Sequence, residues 1–244
     1  MMKVWYLDHS AVAVKTQKHL LLFDLTDKVL SGRPEEGLAE GCVNPDEIKD
    51  EDVLIFVSHE HKDHFDPAIF SLREKVGKVR FVLPEEFDEV YQAELFVGAS
   101  EDEPGHYELP DCRVTTFAST DIGVAYLLEI DGLHIYHAGD LNWWHWEGEE
   151  DAFNLDQAQR YQHQMELLEG ELAGKELDLA CVPVDPRLKE DCLRGLQCFA
   201  QHVQARHILP IHLWGDFSVL DRIQQVLPQL WEQVLPVKER GRVL

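Results

Sequence analysis

One short segment, residues 53–64, constrains the fold of this chain more than any other part of the sequence. It begins with five apolar residues, Val53–Val57, and such a run predicts a strand buried on both faces. The sequence Ser58-His59-Glu60-His61-Lys62-Asp63-His64 follows directly, with three imidazoles and a carboxylate among its ligands. Histidine and aspartate are standard ligands of zinc and other borderline divalent metals, so the segment predicts a metal site at the end of a buried strand.

The spacing of these ligands excludes the helical zinc motif H-E-x-x-H. That motif needs a second histidine four residues after the first, and position 63 is an aspartate. A tight turn after the strand is expected instead. In such a turn His59 and His61 face one way, while Asp63 and His64 face a neighbouring site.

Two later segments also place metal-ligating residues at the ends of predicted strands. One is His137-Ala138-Gly139-Asp140, and the other is Pro210-Ile211-His212. Binding and catalytic residues are commonly assembled where strand ends converge on one edge of a fold. We therefore expect six side chains to meet in one site: His59, His61, Asp63, His64, Asp140 and His212.

The order of strands and helices predicts a mixed α/β protein. Strands are expected over residues 3–7, 11–15, 20–25, 53–57, 78–83, 113–118, 123–130, 133–137, 179–184 and 207–211. Helices are expected around residues 66–76, 158–172, 191–204 and 217–227, and in the acidic segment that ends at Gly98. Because strands occur in hairpins, as at Asp131-Gly132, and also alternate with helices, helices should cover mixed sheets in a single domain of residues 1–244.

These residues together resemble the metallo-β-lactamase superfamily. The resemblance is carried by His59-x-His61-x-Asp63-His64, by Gly139-Asp140 and by His212. Asp8-His9-Ser10 and the segment Pro183–Pro186 are similar to the lactonase-like branch, which includes ascorbate-phosphate lactonases. The resemblance implies a four-layer αββα sandwich of two mixed sheets flanked by helices, with a two-metal site along one edge.

The resemblance also implies a role for each ligand. His59 and His61 would hold the first metal, Asp63, His64 and His212 the second, and Asp140 would bridge the two ions. Zinc is the expected ion, with manganese or iron as alternatives.

One position departs from the superfamily pattern. A third histidine usually completes the first metal site, and here Ser119-Thr120-Asp121 stands in its place. Asp121 or water would have to fill that position, with His106 and His145 as further candidates. The first metal site is therefore expected to be weak or empty.

Two divalent cations about 3.5–4 Å apart lower the pKa of a shared water and polarise the substrate oxygen. The predicted function is therefore a metal-dependent hydrolase that uses a metal-bound hydroxide on a small ester, lactone or phosphoester. Asp63 would hold the metal and steer the proton of the hydroxide. Two alternatives stay open: an iron-dependent oxidoreductase on the same scaffold, and a non-catalytic metal-binding protein with a degraded first metal site.

Several residues near these ligands have two interpretations each. Trp143, Trp144 and Trp146 follow closely on Asp140 and would either form a pocket wall or pack within the fold. His9 would either support a metal ligand or fill a core or turn position. Other catalytic arrangements are disfavoured, because the sequence has no G-x-S-x-G nucleophile elbow and no dinucleotide-binding fingerprint.

Charge and cysteine content limit the partners that this chain can have. Among 244 residues, 46 are acidic and 22 are basic, so the formal net charge is −24 at pH 7. Such a surface repels phosphate backbones and anionic lipids, which disfavours nucleic acid and membranes and leaves a small-molecule substrate. The first residues lack the apolar core of a signal peptide, and five cysteines without a C-x-x-C pair predict a reducing cytoplasm. The oligomeric state is left open.

Overall fold

The computed structural model describes residues 2–87 and 89–244. The chain divides into two compact units, the first formed by Met1–Val97 with Val237–Leu244 and the second by Gly98–Pro236. Each unit is built around one mixed sheet with helices beside it. The expectation of a single domain over residues 1–244 stays a prediction.

Thirteen strands are found in the described part of the chain. They are β1 (Lys3–Asp8), β2 (Ala11–Lys15), β3 (His19–Phe23), β4 (Asp52–Phe56), β5 (Lys78–Pro84), β6 (Leu95–Val97), β7 (Gly105–Leu109), β8 (Cys112–Ala118), β9 (Val124–Ile130), β10 (Leu133–His137), β11 (Leu179–Pro183), β12 (Ile208–Ile211) and β13 (Gly241–Arg242). Nine of the ten predicted strands match to within one residue at each end. The third predicted strand is shifted, because His19 begins it and Phe23 ends it.

The α-helices are α1 (Pro45–Ile48), α2 (Asp151–Leu172), α3 (Arg194–His202) and α4 (Val219–Val226). Short 3₁₀ helices cover Asp27–Val29, Leu38–Glu40, Pro67–Glu74, Glu89–Tyr91, Pro186–Asp191 and Pro228–Leu230. Within the described ranges, no helix has the length and apolar character that a bilayer crossing would require.

The first unit contains a seven-stranded sheet in the order β13-β1-β2-β3-β4-β5-β6. Strands β3, β4, β5 and β6 run parallel to one another, and the remaining pairs are antiparallel. Strand β4, which lies between β3 and β5, is buried from Val53 onward, as its apolar sequence predicts. Phe23 of β3 pairs with Phe56 of β4, so the residues that follow these two strands lie side by side at one edge.

The second unit contains a six-stranded sheet in the order β12-β11-β10-β9-β8-β7. Strands β10, β11 and β12 are parallel, and β7 to β10 form an antiparallel meander. Asp131 and Gly132 join β9 to β10 with φ angles of 51° and 77°, which confirms the predicted hairpin because two positive φ angles suit a type I′ turn. Helix α2 buries Tyr161, Met165 and Leu168 on one face, at the predicted helical spacing.

One prediction about local structure is wrong and one strand was missed, both in a part of the chain that is rich in acidic side chains. The segment up to Gly98 is not a helix, because it contains a short 3₁₀ turn at Glu89–Tyr91 and then strand β6, which extends the first sheet beside β5. Strand β7 was not predicted at all, since its exposed positions are polar. Around residues 66–76 the expected helix is present as the 3₁₀ helix Pro67–Glu74, capped by the Asp66 carboxylate on the backbone of Ala68.

Candidate metal-binding site

In the first unit, the ligand-rich turn that follows β4 lies beside the end of β3. The parallel register brings Asp24, which follows β3, next to Ser58, which follows β4. The Asp24 carboxylate accepts a hydrogen bond from the Ser58 backbone at 2.7 Å and from its hydroxyl at 2.8 Å. Asp24 is almost fully buried, and its backbone adopts φ 48°, a left-handed conformation that aspartate tolerates better than most residues.

Asp24 also sets the orientation of His64. The Nδ1 atom of His64 lies 2.8 Å from an Asp24 carboxylate oxygen, and both side chains are buried. Because a carboxylate only accepts, Nδ1 carries the proton, and Nε2 is the nitrogen with a lone pair for a metal. This carboxylate–histidine pair is the arrangement that commonly fixes a metal-ligating imidazole.

His59 and His61 approach each other through ring nitrogens. The Nε2 atom of His59 lies 3.0 Å from Nδ1 of His61, while Nδ1 of His59 lies 2.9 Å from the Ser58 hydroxyl. Two nitrogens bound to one tetrahedral ion at 2.0–2.1 Å are about 3.3 Å apart. The separation of the two nitrogens therefore fits a pair of ligands on a shared ion.

The third pair in the first unit is His9 with Asp63. The Nε2 atom of His9 lies 3.3 Å from a carboxylate oxygen of Asp63, and the ring of His9 meets that of His64 edge to face. This contact with His9 is the largest cause that holds the pKa of Asp63 below its ordinary value. Donor atoms of His9, Asp63 and His64 all lie within 4.8 Å of one another. His9 thus contacts the predicted ligands, which favours its supporting role.

In the second unit, three side chains of the candidate site follow the three parallel strands. Asp140 follows β10, Asp185 follows β11 and His212 follows β12. Parallel neighbours end at the same edge of a sheet, and so these side chains come together although they are far apart in sequence. The Nε2 atom of His212 lies 3.2 Å from Asp140 Oδ1, again close to the separation of two ligands on one ion.

Asp185 orients His212 as Asp24 orients His64. The buried Asp185 carboxylate accepts a hydrogen bond from His212 Nδ1 at 2.9 Å and from Trp214 Nε1 at 3.2 Å. Burial by itself would raise the pKa of Asp185, but hydrogen bonds from His212 and Arg187 outweigh it and lower the pKa to about 2. Nε2 of His212 is therefore the nitrogen presented toward Asp140. His212 has φ 63°, a left-handed backbone of the kind that clusters at functional sites.

The position of the absent third histidine is a turn between β8 and β9. Strand β9 is antiparallel to β10, so this turn lies at the same sheet edge as Asp140. Carboxylate oxygens of Asp121 and Asp140 come within 4.8 Å of each other. The alternative residues are engaged elsewhere: His106 pairs with Glu171 and His145 with Asp191. Of the candidates for the vacant ligand position, Asp121 is the one that lies beside Asp140 in the second unit.

The tryptophans after Asp140 have divided roles. Trp143 packs near Tyr161 of α2, as ordinary core packing predicts. Trp144 and Trp146 stack on each other with ring centroids 5.9 Å apart, and both line a cavity that also contains Asp140. Trp144 donates to the backbone oxygen of Asp140 at 3.1 Å. Trp143 therefore packs within the fold, whereas Trp144 and Trp146 form part of a pocket wall.

Sequence reasoning did not single out Asp24, Asp185 or Arg187. Each acts through another side chain, and neither charge nor spacing distinguishes such residues from surface acids and bases. A signal was present for the two aspartates, because each directly follows or nearly follows a strand that pairs in parallel with a ligand-bearing strand. The pair Asp185-Pro186 also marks the start of a 3₁₀ helix at the end of β11.

The donor set as a whole fits divalent metal ions. Imidazoles dominate in the first unit and carboxylates with one imidazole in the second, which suits zinc and other borderline cations. Two of the imidazoles are held by buried carboxylates, so their lone pairs have fixed directions.

Comparison with known proteins agrees with this fold and chemistry. The chain is 27% identical over 221 residues to a UPF0173 metal-dependent hydrolase of Pyrococcus furiosus, covering 87% of this chain and 84% of the relative. Among solved structures it is similar to Igni18, described as a novel metallo hydrolase, from Ignicoccus hospitalis, with a TM-score of 0.64, 17% identity, and 100% and 98% of the two chains covered. It is also similar to the metallo-β-lactamase fold protein YhfI of Bacillus subtilis, with a TM-score of 0.55, 14% identity, and 98% and 97% covered. No protein-family model matches the chain.

The two mixed sheets with flanking helices thus have the metallo-β-lactamase fold. This fold and the sequence likeness to a UPF0173 metal-dependent hydrolase agree with the resemblance that the segment 58–64 carries.

Proposed function

We propose that this chain is a metal-dependent hydrolase acting on a small ester, lactone or phosphoester. The observation that carries the proposal is the matched pair of carboxylate–histidine contacts, Asp24 with His64 and Asp185 with His212. Burying two such pairs costs free energy of desolvation. A metal bound to the oriented lone pair of each imidazole would offset this cost. The likeness to proteins named metal-dependent hydrolases supports the same class.

The proposed ligands are the six that the sequence predicts. His59 and His61 would hold one ion, Asp63, His64 and His212 the other, and Asp140 would serve both. Zinc is the proposed ion for its match to these donors. When bound, such ions supply Lewis acidity and lower the pKa of a water.

Other side chains of this protein would tune the proposed site. The contact with His9 lowers the pKa of Asp63, so its carboxylate stays ionised and able to bind a metal down to lower pH. Asp121 is proposed to take the place of the third histidine through its proximity to Asp140. A carboxylate in place of an imidazole favours a harder ion at the first site, such as manganese or iron.

Two variants test the proposal. His64→Ala removes one oriented imidazole. His212→Asn removes the other with a residue that tolerates the left-handed backbone at this position. Both are expected to lose bound metal by elemental analysis and to lose hydrolysis of a panel of esters, lactones and phosphodiesters. His106→Ala changes an exposed histidine and is the matched control.

The outcomes separate the candidate functions. Metal content that is unchanged in both variants contradicts the ligand assignment. Metal that binds without hydrolysis of any panel member supports the non-catalytic alternative, and metal-dependent oxygen uptake supports the oxidoreductase.

A further inference from the structure

The second unit contains a cavity of about 250 Å³ beside the proposed ligand Asp140. Trp144, Trp146 and Phe153 form an apolar part of its lining, and the carboxylates of Asp121 and Asp140 form an acidic part. The cation that lines the cavity is Arg187. Apolar walls with few polar groups are typical of small-molecule sites, in which the polar groups set orientation and specificity.

The guanidinium of Arg187 is held in one place by its neighbours. Its Nε and Nη2 atoms donate to the two oxygens of Asp185, with the shortest contact 2.6 Å from Nη2. Its central carbon lies 4.4 Å from the ring centroid of Trp214 and 5.4 Å from that of Trp146. A guanidinium fixed in this way loses little conformational entropy when it binds a further partner.

Arg187 retains donors that these contacts do not use. A guanidinium has five N–H donors in a planar fork, and Asp185 engages the Nε and Nη2 side of it. Across residues 2–87 and 89–244, Nη1 has no hydrogen-bond partner, and the side chain is 45% exposed. The remaining edge therefore offers parallel N–H donors, the arrangement that binds a carboxylate in bidentate fashion.

The charges in the cavity select among anions. In the metal-free chain, Asp121 and Asp140 repel any anion in the same cavity, and one guanidinium opposes them. A singly charged carboxylate matches one guanidinium better than a doubly charged phosphate, which would meet stronger repulsion. The chain as a whole, with a net charge of −24, adds to the same preference.

We propose that Arg187 is a specificity-determining residue that anchors a carboxylate group of the substrate. The apolar body of the substrate lies against Trp144, Trp146 and Phe153. The substrate class is thus a small ester or lactone that carries a free carboxylate in addition to the bond that is cleaved. This inference rests on the proposed hydrolase function.

The test uses three probes that share one aromatic ring: phenylacetate, its neutral amide phenylacetamide, and phenyl phosphate. Binding to the purified full chain, freed of metal so that the probes cannot bind an ion directly, is followed by tryptophan emission, since Trp146 and Trp214 contact the guanidinium and Trp144 stacks on Trp146. The wild type is expected to bind phenylacetate at least about tenfold more tightly than phenylacetamide, as a charge-assisted hydrogen bond provides. Phenyl phosphate is expected to bind more weakly than phenylacetate.

Substitutions then assign this preference to Arg187. Arg187→Gln is expected to reduce the tenfold preference to nearly none, and Arg187→Lys to keep part of it, because lysine retains the charge without the planar fork. The matched control is Arg194→Gln, since Arg194 is equally exposed and also pairs with an aspartate, Asp191. The control is expected to keep the whole preference.

A bracing role for Arg187, through Asp185 alone, predicts something different. Arg187→Gln would then change the affinities for phenylacetate and phenylacetamide by the same factor, or change neither affinity. Either result overturns the proposal. Tighter binding of phenyl phosphate than of phenylacetate in the wild type overturns the choice of carboxylate. A preference that depends on Arg187 in a chain that hydrolyses nothing would sustain the anchor while the proposed function fails. Hydrolysis without any such preference would support the proposed function and overturn the anchor.

Discussion

Asp185 Oδ2 accepts a hydrogen bond from Nδ1 of His212 at 2.9 Å, and the opposite ring nitrogen lies 3.2 Å from Asp140. The imidazole thus links a buried carboxylate to a proposed ligand, with its tautomer fixed by the carboxylate. Asp185 therefore orients a proposed metal ligand, His212.

Asp185→Asn is expected to lower metal affinity about 10–100-fold, because the amide no longer accepts as strongly from Nδ1. Competition with a chelator of known affinity measures the change. Asp178→Asn serves as the control, since Asp178 accepts from the His134 backbone and from Arg206 instead. Equal affinities in the wild type and in Asp185→Asn would contradict this role.

Asp24→Asn separates orientation from folding. Asparagine tolerates φ 48° at this position and has a similar size, so the fold should survive. The buried acceptor of Ser58 and His64 is weakened, and we expect loss of metal together with about 1–3 kcal/mol of the free energy of unfolding. Urea unfolding and elemental analysis measure the two effects. Asp66→Asn, at an exposed helix cap, is the comparison variant.

Metal titration into metal-free protein is expected to show two separate affinities. The site with Asp63, His64 and His212 should fill tightly, and the site that lacks the third histidine should need added metal. Asp121→Ala should weaken metal binding only at the site that lacks the third histidine, because Asp121 lies beside Asp140. Asp156→Ala, on the exposed face of α2, should change neither affinity. Two equal sites that ignore Asp121 would mean that another residue fills the position.

The contact between His9 and Asp63 predicts a measurable pKa change in the metal-free protein. His9→Asn keeps the left-handed backbone at φ 42° but removes the ring, so the pKa of Asp63 should rise toward its ordinary value. The carboxyl-carbon resonance of Asp63 reports this pKa by NMR. In the wild type the depressed pKa stabilises the fold above pH about 4, and this contribution is lost as pH falls through the lower folded value. An unchanged titration of Asp63 in His9→Asn would show that His9 is not the cause.

The sequence predicts the local and periodic features of this fold well. The apolar run at Val53–Val57 and the pair Asp131-Gly132 each carry their own structural signal, and a strand and a hairpin are found there. Strand β7 could not be predicted, because it is short, lies at the edge of its sheet beside β8, and exposes polar residues. Pairing with the next strand along the chain, more than any local preference, makes it a strand.

The sequence predicts the candidate ligands but not the residues that orient them. Residue type and spacing single out His59 and His64, whereas Asp24 and Asp185 resemble any other acidic residue among 46. Their roles come from the register of parallel strands, which joins positions 34 and 27 residues apart in the hydrogen bonds to Ser58 and His212. Strand pairing of this kind is a long-range property that one sequence does not display.

The short strand β13 has a consequence for synthesis of the chain. It pairs with β1 through Trp5 and Tyr6, so one edge of the first sheet is completed by residues near position 241. All of Gly98–Pro236 emerges from the ribosome before that edge can close. Until then β1 presents unpaired backbone donors and acceptors, which are a template for association with other chains. Slow translation of the second unit should therefore expose the nascent first unit to aggregation, and a chaperone that covers strand edges should raise the yield.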